Sequence, residues 1–281
     1  PDDYEPDDPR DDNGHGTHVA GIAGAETDNG AGVAGVCWNC RVMALKTFES
    51  NGVGTTSDIV QAIDYAADKG ADVINMSFGS YAESLLLEDT LATAYGQAVL
   101  VAAAGNYGKT PYATVPYYPA SYTYVLGVGA TDVACVNRDP DTMNCLQWDE
   151  VRADFSNYGV NADVGAPGVS IYSTFRDSGY ASMSGTSMAA PVVSGLAGLL
   201  LSENPSWSKE MVRGQIVKTA DPIYTGEFDR VNAYDAVTVV PTPDLRLQSS
   251  EIVYGDGSGD GDGIPDAGET FTVTTPLKNY W

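Results

Sequence analysis

Between residues 41 and 219, short apolar runs alternate with segments of helical period, and this alternation constrains the fold more than any other feature. Residues 41–48 (RVMALKTF) read as a strand. Thr56 or Ser57 can cap a helix with the apolar face Ile59, Ala62, Ile63 and Ala66, and Gly70 stops it. Residues 72–76 read as a buried strand, 82–97 as a helix and 98–103 as a strand. Strands at 124–131 and 169–174 follow, then helices over 187–202 and 208–219. Such alternation favours a mostly parallel sheet, because parallel strands need long crossovers that return as helices over both faces. The expected class is therefore α/β, doubly wound, over residues 1–240.

Residues 240–244 (VPTPD) read as a stiff linker. Beyond it, 245–254 and 270–277 alternate like strands around a Gly/Asp loop. Residues 241–281 are thus expected to be a linker and the opening of a small β-rich domain. With no Met at residue 1 and the stop at Trp281, the chain reads as a piece of a longer protein, open at both ends. Its best unbroken apolar run, 195–201, is too short to span a membrane.

Charge narrows the partners. Against 14 Lys+Arg stand 38 Asp+Glu, a formal net of −24, which repels nucleic acid and anionic membrane alike. The acid gathers at residues 2–12 and 256–269, as a solvated surface or as loops for calcium, a hard cation that takes several oxygens. Aligning Gly263 with the glycine of an EF-hand loop puts Ser258, Asp260 and Asp262 at positions one, three and five. Ile264 would then offer a carbonyl, with Asp266 at position nine and Glu269 at twelve. Only position one departs, and Asp256 is near enough to compensate; the alternative is a flexible acidic linker.

The four cysteines form two local pairs, Cys37/Cys40 and Cys135/Cys145. Zinc would need two more ligands, so two short-loop disulfides in an oxidising compartment stand against free buried thiols.

Three stretches carry chemistry. In Gly14-His15-Gly16-Thr17-His18-Val19-Ala20-Gly21, two histidines sit three residues apart at the mouth of a small-residue helix. They could be a metal pair, or a base with a structural neighbour; the helix lacks the Glu of an H-E-x-x-H site. Residues 99–106 (VLVAAAGN) form a buried strand ending on Asn106, an amide donor at the sheet edge where ligands bind in open α/β folds. The plainer alternative is an Asn in a turn. In residues 184–191 (SGTSMAAP), Ser187 opens an apolar helix whose free N–H groups and dipole favour an oxyanion. Pro191 is expected in the first turn of that helix, and the plain reading of Ser187 is an N-cap.

Together, in this order, GHGTHVAG, AAAGN and SGTSMAAP resemble the subtilisin-like serine peptidases, and residues 72–79, 166–169 and 230–233 match further segments of that family. The order His before Ser, without G-x-S-x-G, separates it from α/β-hydrolases, and the strand–helix alternation from chymotrypsin-like β-barrels. The resemblance implies that His15 is the general base, Ser187 the nucleophile and Asn106 the oxyanion donor, with His18 structural. The family's acid lies on an early strand some thirty residues before the base; only 14 residues precede His15, and neither Asp11 nor Asp12 fits. The acid is expected to lie outside this sequence, leaving the fragment impaired.

The resemblance further implies a polypeptide substrate lying between Gly52-Val53-Gly54 and Ser77-Phe78-Gly79, with Ala103 and Gly105 beside the primary pocket. No charge stands out there, which suggests apolar or neutral side chains. It implies calcium held by the carbonyls of Glu26, Ala31 and Val33 and the side chain of Asn29. Val192 departs from the family, where many relatives have His. The expected protein is a secreted, extracellular serine endopeptidase; the alternative is a catalytically silent, calcium-dependent binding or surface-display module of the same fold.

Overall fold

The computed structural model describes residues 9–240 and the backbone of four short strands beyond them. The chain divides into two compact units, Pro1–Val239 and Val240–Trp281. The first contains α1 (His15–Gly24), α2 (Thr56–Asp68), β1 (Val73–Met76), α3 (Leu85–Tyr95), β2 (Val99–Ala103), β3 (Leu126–Arg138) and β4 (Cys145–Arg152). It continues through β5 (Val164–Pro167), β6 (Ile171–Phe175), β7 (Gly179–Met183), α4 (Thr186–Glu203), α5 (Lys209–Lys218), β8 (Asp221–Pro222), β9 (Asp229–Arg230) and α6 (Ala233–Thr238).

The main sheet runs β1-β2-β3-β5-β9-β8, parallel from β1 to β9, with β8 antiparallel at one end and β4 antiparallel to the far half of β3. Its centre explains the apolar run of β2, which is buried at every residue. Val99, Val101 and Ala103 pack with Ala190, Val193 and Leu196 of α4, while Leu100 and Ala102 face Ile63 of α2 and Leu91 of α3. A strand with helices over both faces has no polar side to present, so alternation disappears. The doubly wound α/β architecture is therefore the one expected.

Local chemistry sets the helix starts. Thr55 caps α2 one residue before the expected position, accepting from the Asp58 N–H, and Ser84 and Ser208 cap α3 and α5 in the same way. Small residues set the spacing of α4. A Cβ on Gly195 would lie 2.6 Å from Val36 Cβ and 2.9 Å from the Ala23 carbonyl oxygen, so α4 and α1 pack at glycine distance.

Three expectations are corrected. Residues 41–48 form no strand: Phe48 makes a single bridge to Gly54, and Val42, Met43 and Leu45 are exposed. Apolar residues make a strand only where a neighbour completes the ladder, and among the described residues none pairs with this segment. Pro191 is the sixth residue of α4, beyond the first turn, and what tolerates it there is described below. By length and composition α4 could cross a membrane, contrary to the sequence reading, yet it is the buried core helix of this unit.

Both cysteine pairs are disulfides: Cys37–Cys40 with Cα atoms 5.4 Å apart, and Cys135–Cys145 at 5.7 Å. The second closes a hairpin, β3–β4, that the sequence reading did not foresee.

In the second unit, Leu245–Leu247 (β10) pairs antiparallel with Leu277–Asn279 (β13), and Val253–Ser258 (β11) with Thr270–Thr274 (β12). The expected EF-like ligands Asp260, Asp262, Ile264, Asp266 and Glu269, and the side chain of Ser258, lie outside the described residues, as does the acidic run 2–8.

Candidate active site

Ser187 is the second residue of α4, where helix geometry leaves the N–H without an intrahelical acceptor. Asn106 follows the carboxyl end of β2 and meets it there. The Asn106 Oδ1 accepts from the Thr186 N–H at 2.9 Å and from Thr186 Oγ1 at 3.1 Å. A backbone N–H can only donate, so the atom facing it is oxygen; among the described residues Nδ2 makes no hydrogen bond, and a Cβ on Gly185 would lie 3.5 Å from it and 3.7 Å from the Ser187 nitrogen. Thr186 Oγ1 in turn accepts from the Gly105 N–H at 3.1 Å. Gly105 sits at φ 99°, and a Cβ there would lie 2.5 Å from Asn157 Nδ2. The left-handed turn that aims Asn106 thus requires glycine.

Ser187 is also tied to the residue that follows β1. Ser187 Oγ donates to the Ser77 carbonyl at 3.1 Å, and Ser77 Oγ donates to the Ser187 carbonyl at 2.9 Å. That carbonyl would ordinarily accept from the N–H four residues on, which is Pro191 and has none. Ser77 therefore satisfies the acceptor that Pro191 leaves open. Asn75 continues the network, donating to Ser77 Oγ at 2.9 Å and accepting from Ser194 Oγ at 2.9 Å. Thr186, Asn75 and Ser194 were missed in the sequence, where nothing links them to residues 80 to 119 positions away.

His15 opens α1, and Asp11 shapes that opening. Its carboxylate accepts from the N–H groups of Asn13 (2.9 Å), Gly14 (2.7 Å) and Thr17 (2.7 Å) and from Thr17 Oγ1 (2.7 Å). Partial burial works against its charge, but these four bonds hold its pKa at about 2. Asp11 thus anchors the helix start and, among the described residues, makes no hydrogen bond to the imidazole. Burial lowers the His15 pKa, opposed by the Asp11 charge and aided by His18. No hydrogen bond between His15 and Ser187 is present among the described residues. His18 is fully buried, with Nε2 against the carbonyls of Ile171 (3.1 Å) and Ala181 (3.0 Å), so it fastens α1 to the β6–β7 hairpin.

The expected substrate edges are drawn together around Phe48. Its ring meets Phe78 at 5.1 Å, it bridges Gly54, and Asn13 Nδ2 holds the same loop by the Ser50 carbonyl at 2.8 Å. Gly52 takes the left-handed φ of the turn and Val53 is exposed on it. Ala103 is buried in the core, where it pairs with Val128 of β3. Tyr117 went unnoticed in the sequence. Its hydroxyl donates to the Gly79 carbonyl at 2.7 Å, and its ring would lie 2.4 Å from a Cβ on Gly79 and 3.0 Å from one on Gly105. The ring is wedged between the two glycine-bearing segments, and burial, then Tyr107 and Tyr81, push its pKa up to about 12.

The loop with Glu26, Asn29, Ala31 and Val33 is curled by left-handed residues at Asp28, Gly30 and Gly32. Its concave side is lined by residues 27–34. Among the described residues, the carbonyls of Glu26, Ala31 and Val33 accept no hydrogen bond from the protein, and Asn29 Oδ1 accepts one, from the Ala31 N–H. An all-oxygen set with open lone pairs fits calcium. No group of three His, Cys, Asp or Glu side chains that could hold a metal occurs among the described residues, so the His15/His18 pair lacks a third ligand of that kind.

Fold and site together define an α/β domain with a serine at a helix N-terminus and an amide donor at the carboxyl edge of its sheet. A model of the Subtilase family matches residues 1–257, and the chain belongs to that family. It is 47% identical over 236 residues to the "Thermophilic serine proteinase" of Bacillus sp. (strain AK1), covering 82% of this chain and 54% of the relative. It is 42% identical over 234 residues to "Thermitase" of Thermoactinomyces vulgaris, covering 82% and 76%. The chain thus spans about half the length of the first relative and three-quarters of the second. Among solved structures, "S41 Psychrophilic Protease" aligns with TM-score 0.67 and 32% identity over 78% of this chain and 77% of that one, and "Sphericase" has the same values.

Proposed function

We propose that residues 1–240 form the catalytic domain of a secreted serine endopeptidase, followed over 241–281 by a linker and a β-rich segment. The observation that carries this reading is the Asn106 amide, whose oxygen is held by Thr186 so that its N–H₂ is offered beside the Ser187 N–H. Two preorganised donors at a helix N-terminus suit a tetrahedral oxyanion. Ser187 Oγ attacks the scissile carbonyl after turning away from the Ser77 carbonyl, and His15 takes its proton. The lowered His15 pKa keeps the imidazole in the neutral, proton-accepting form at neutral pH. The kinship with named serine proteinases supports the same chemistry.

The substrate is an extended polypeptide between residues 52–54 and 77–79, pairing through its backbone. In this reading Tyr117, wedged between Gly79 and Gly105, limits the depth available to the substrate side chain. We expect Tyr117→Ala to raise kcat/KM for a phenylalanine substrate, relative to alanine at the same position, by about tenfold. A series of chromogenic peptides measures this, and an unchanged ratio removes Tyr117 from the pocket.

Calcium is the cofactor in this reading, held by the carbonyls of Glu26, Ala31 and Val33 and by Asn29 Oδ1, and it would stiffen a loop otherwise held mainly by its own turns. At a hundredfold excess over Kd a native-state ligand stabilises by about 2.7 kcal/mol. Asn29→Ala should therefore shrink the rise in Tm that calcium produces in the parent. An equal rise in both proteins would exclude Asn29 as a ligand. Two disulfides suit an oxidising, extracellular setting.

A second reading, a catalytically silent binding module, is favoured by one observation: the Ser187 hydroxyl is bonded to Ser77 and not to His15. Treating the full-length, calcium-loaded protein with a fluorophosphonate separates the two. Endopeptidase function predicts a covalent adduct on the peptide containing Ser187; a folded protein that takes no label is the silent module.

A further inference from the structure

The β3–β4 hairpin belongs to none of the chemistry above, yet it rises from the carboxyl edge of the sheet, the same edge on which Asn106 stands at the end of β2. Its disulfide, Cys135–Cys145, staples the far end. Its two faces differ. Val133 pairs with Glu150 and Cys135 with Trp148, so these four share one face; Leu146 lies two residues from Trp148, at a shift in register where Gln147 pairs with Asn137 and Cys145 with Arg138. Val133, Leu146 and Trp148 are 61%, 62% and 64% exposed, unusual for large apolar residues so close together on one hairpin. Ala134 pairs with Asp149 on the other face, where Asp132 precedes Val133.

The outer edge of β4 is only partly used. The Arg152 N–H donates to Thr225 Oγ1 at 3.0 Å and the Glu150 carbonyl accepts from the Tyr224 N–H at 3.0 Å. Strand alternation turns the Trp148 N–H and carbonyl to that same outer side, and among the described residues no loop or turn hydrogen bond ends on them. Such an edge is a template for one more strand. Charge selects its partner. The hairpin carries Asp132, Asp139, Asp141 and Asp149, with Glu150 paired to Arg230, against two arginines that are both engaged: Arg138 on the Met143 carbonyl and Arg152 on Glu227. A second copy of a chain with net charge −24 is repelled from this edge.

We propose that the β4 edge is an exosite for the polypeptide substrate, taking a segment remote from the scissile bond as an added antiparallel or parallel strand. The segment alternates apolar residues, which pack on Trp148, Leu146 and Val133, with Lys or Arg, which face Asp149 and Asp132. This rests on the peptidase reading for the identity of the partner, whereas binding at the edge is measurable without turnover.

The full-length protein carrying Ser187→Ala is titrated with a fluorescent peptide alternating valine and lysine, and with one alternating valine and glutamate. The lysine peptide should bind at least about tenfold more tightly, with a blue shift of tryptophan emission, and Trp148→Ser or Asp149→Lys should each weaken it about tenfold. Equal binding of the two peptides, or binding indifferent to both substitutions in variants of unchanged Tm, overturns the site. In the active protein, a cleavable peptide extended by the lysine segment should show a several-fold higher kcat/KM than the unextended one, and Trp148→Ser should abolish the gain while sparing the short peptide. Binding without that gain overturns the substrate assignment, and so does concentration-dependent dimerisation that Trp148→Ser abolishes. Absence of fluorophosphonate labelling with intact binding removes the peptidase reading and leaves the strand site standing.

Discussion

Ser187→Ala should abolish fluorophosphonate labelling and lower kcat by about 10⁶-fold, a magnitude measured in subtilisin and carried to this chain by kinship. The fold should survive. Among the described residues Ser187 Oγ makes one hydrogen bond, to the Ser77 carbonyl, while Ser77 Oγ still donates to the Ser187 carbonyl in the variant. One hydroxyl bond of this kind contributes about 1 kcal/mol, so Tm should move by only a few degrees. A chromogenic peptide assay with the full-length parent as reference reads the first effect, and a thermal melt the second. Parent-level turnover in the variant would sink the proposed nucleophile. Collapse of Tm would instead mean that the Ser187–Ser77 pair is chiefly structural.

Asn106→Leu should lower kcat by about 10²–10³-fold with little change in KM, because its amide meets charge that develops only after attack. That range also comes from subtilisin. The shape is matched closely enough to leave the site open, but the Thr186 N–H loses its acceptor, and an unsatisfied donor of that sort costs about 1–3 kcal/mol. Thr186→Val separates the two roles. It removes one of the two donors holding Asn106 Oδ1 and keeps Nδ2, so it should cost much less in kcat than Asn106→Leu. If Asn106→Leu raises KM and leaves kcat alone, the amide binds substrate in its ground state and the oxyanion assignment fails.

Much of the architecture was legible because it depends on short windows. The alternation over 72–103 anticipated β1, α3 and β2, and the opposed cores on β2 explain why its run is wholly apolar. The same reading failed at 41–48, where composition suits a strand but no described residue supplies a ladder. It failed again at the β3–β4 hairpin, whose polar, acidic sequence does not alternate cleanly and whose two strands are closed by a disulfide. Pro191 is the most instructive case. Sequence rules put a proline in the first turn; the chain puts it at the sixth position and meets the freed carbonyl with a hydroxyl 110 residues away.

By itself, then, the sequence determined the α/β class and the three motifs bearing His15, Asn106 and Ser187, because periodicity and helix-start chemistry act over a few residues. The tertiary structure alone decided what those residues can do. Asn106 had its oxygen engaged by Thr186, 80 residues on, and the Ser187 hydroxyl came to donate to the Ser77 carbonyl, 110 residues back. Asp11 was committed to the start of α1 by four local bonds, and Tyr117 was wedged between Gly79 and Gly105. An amide's direction, a hydroxyl's partner and a ring's place between two glycines depend on groups that only packing brings together, and no local pattern carries that information.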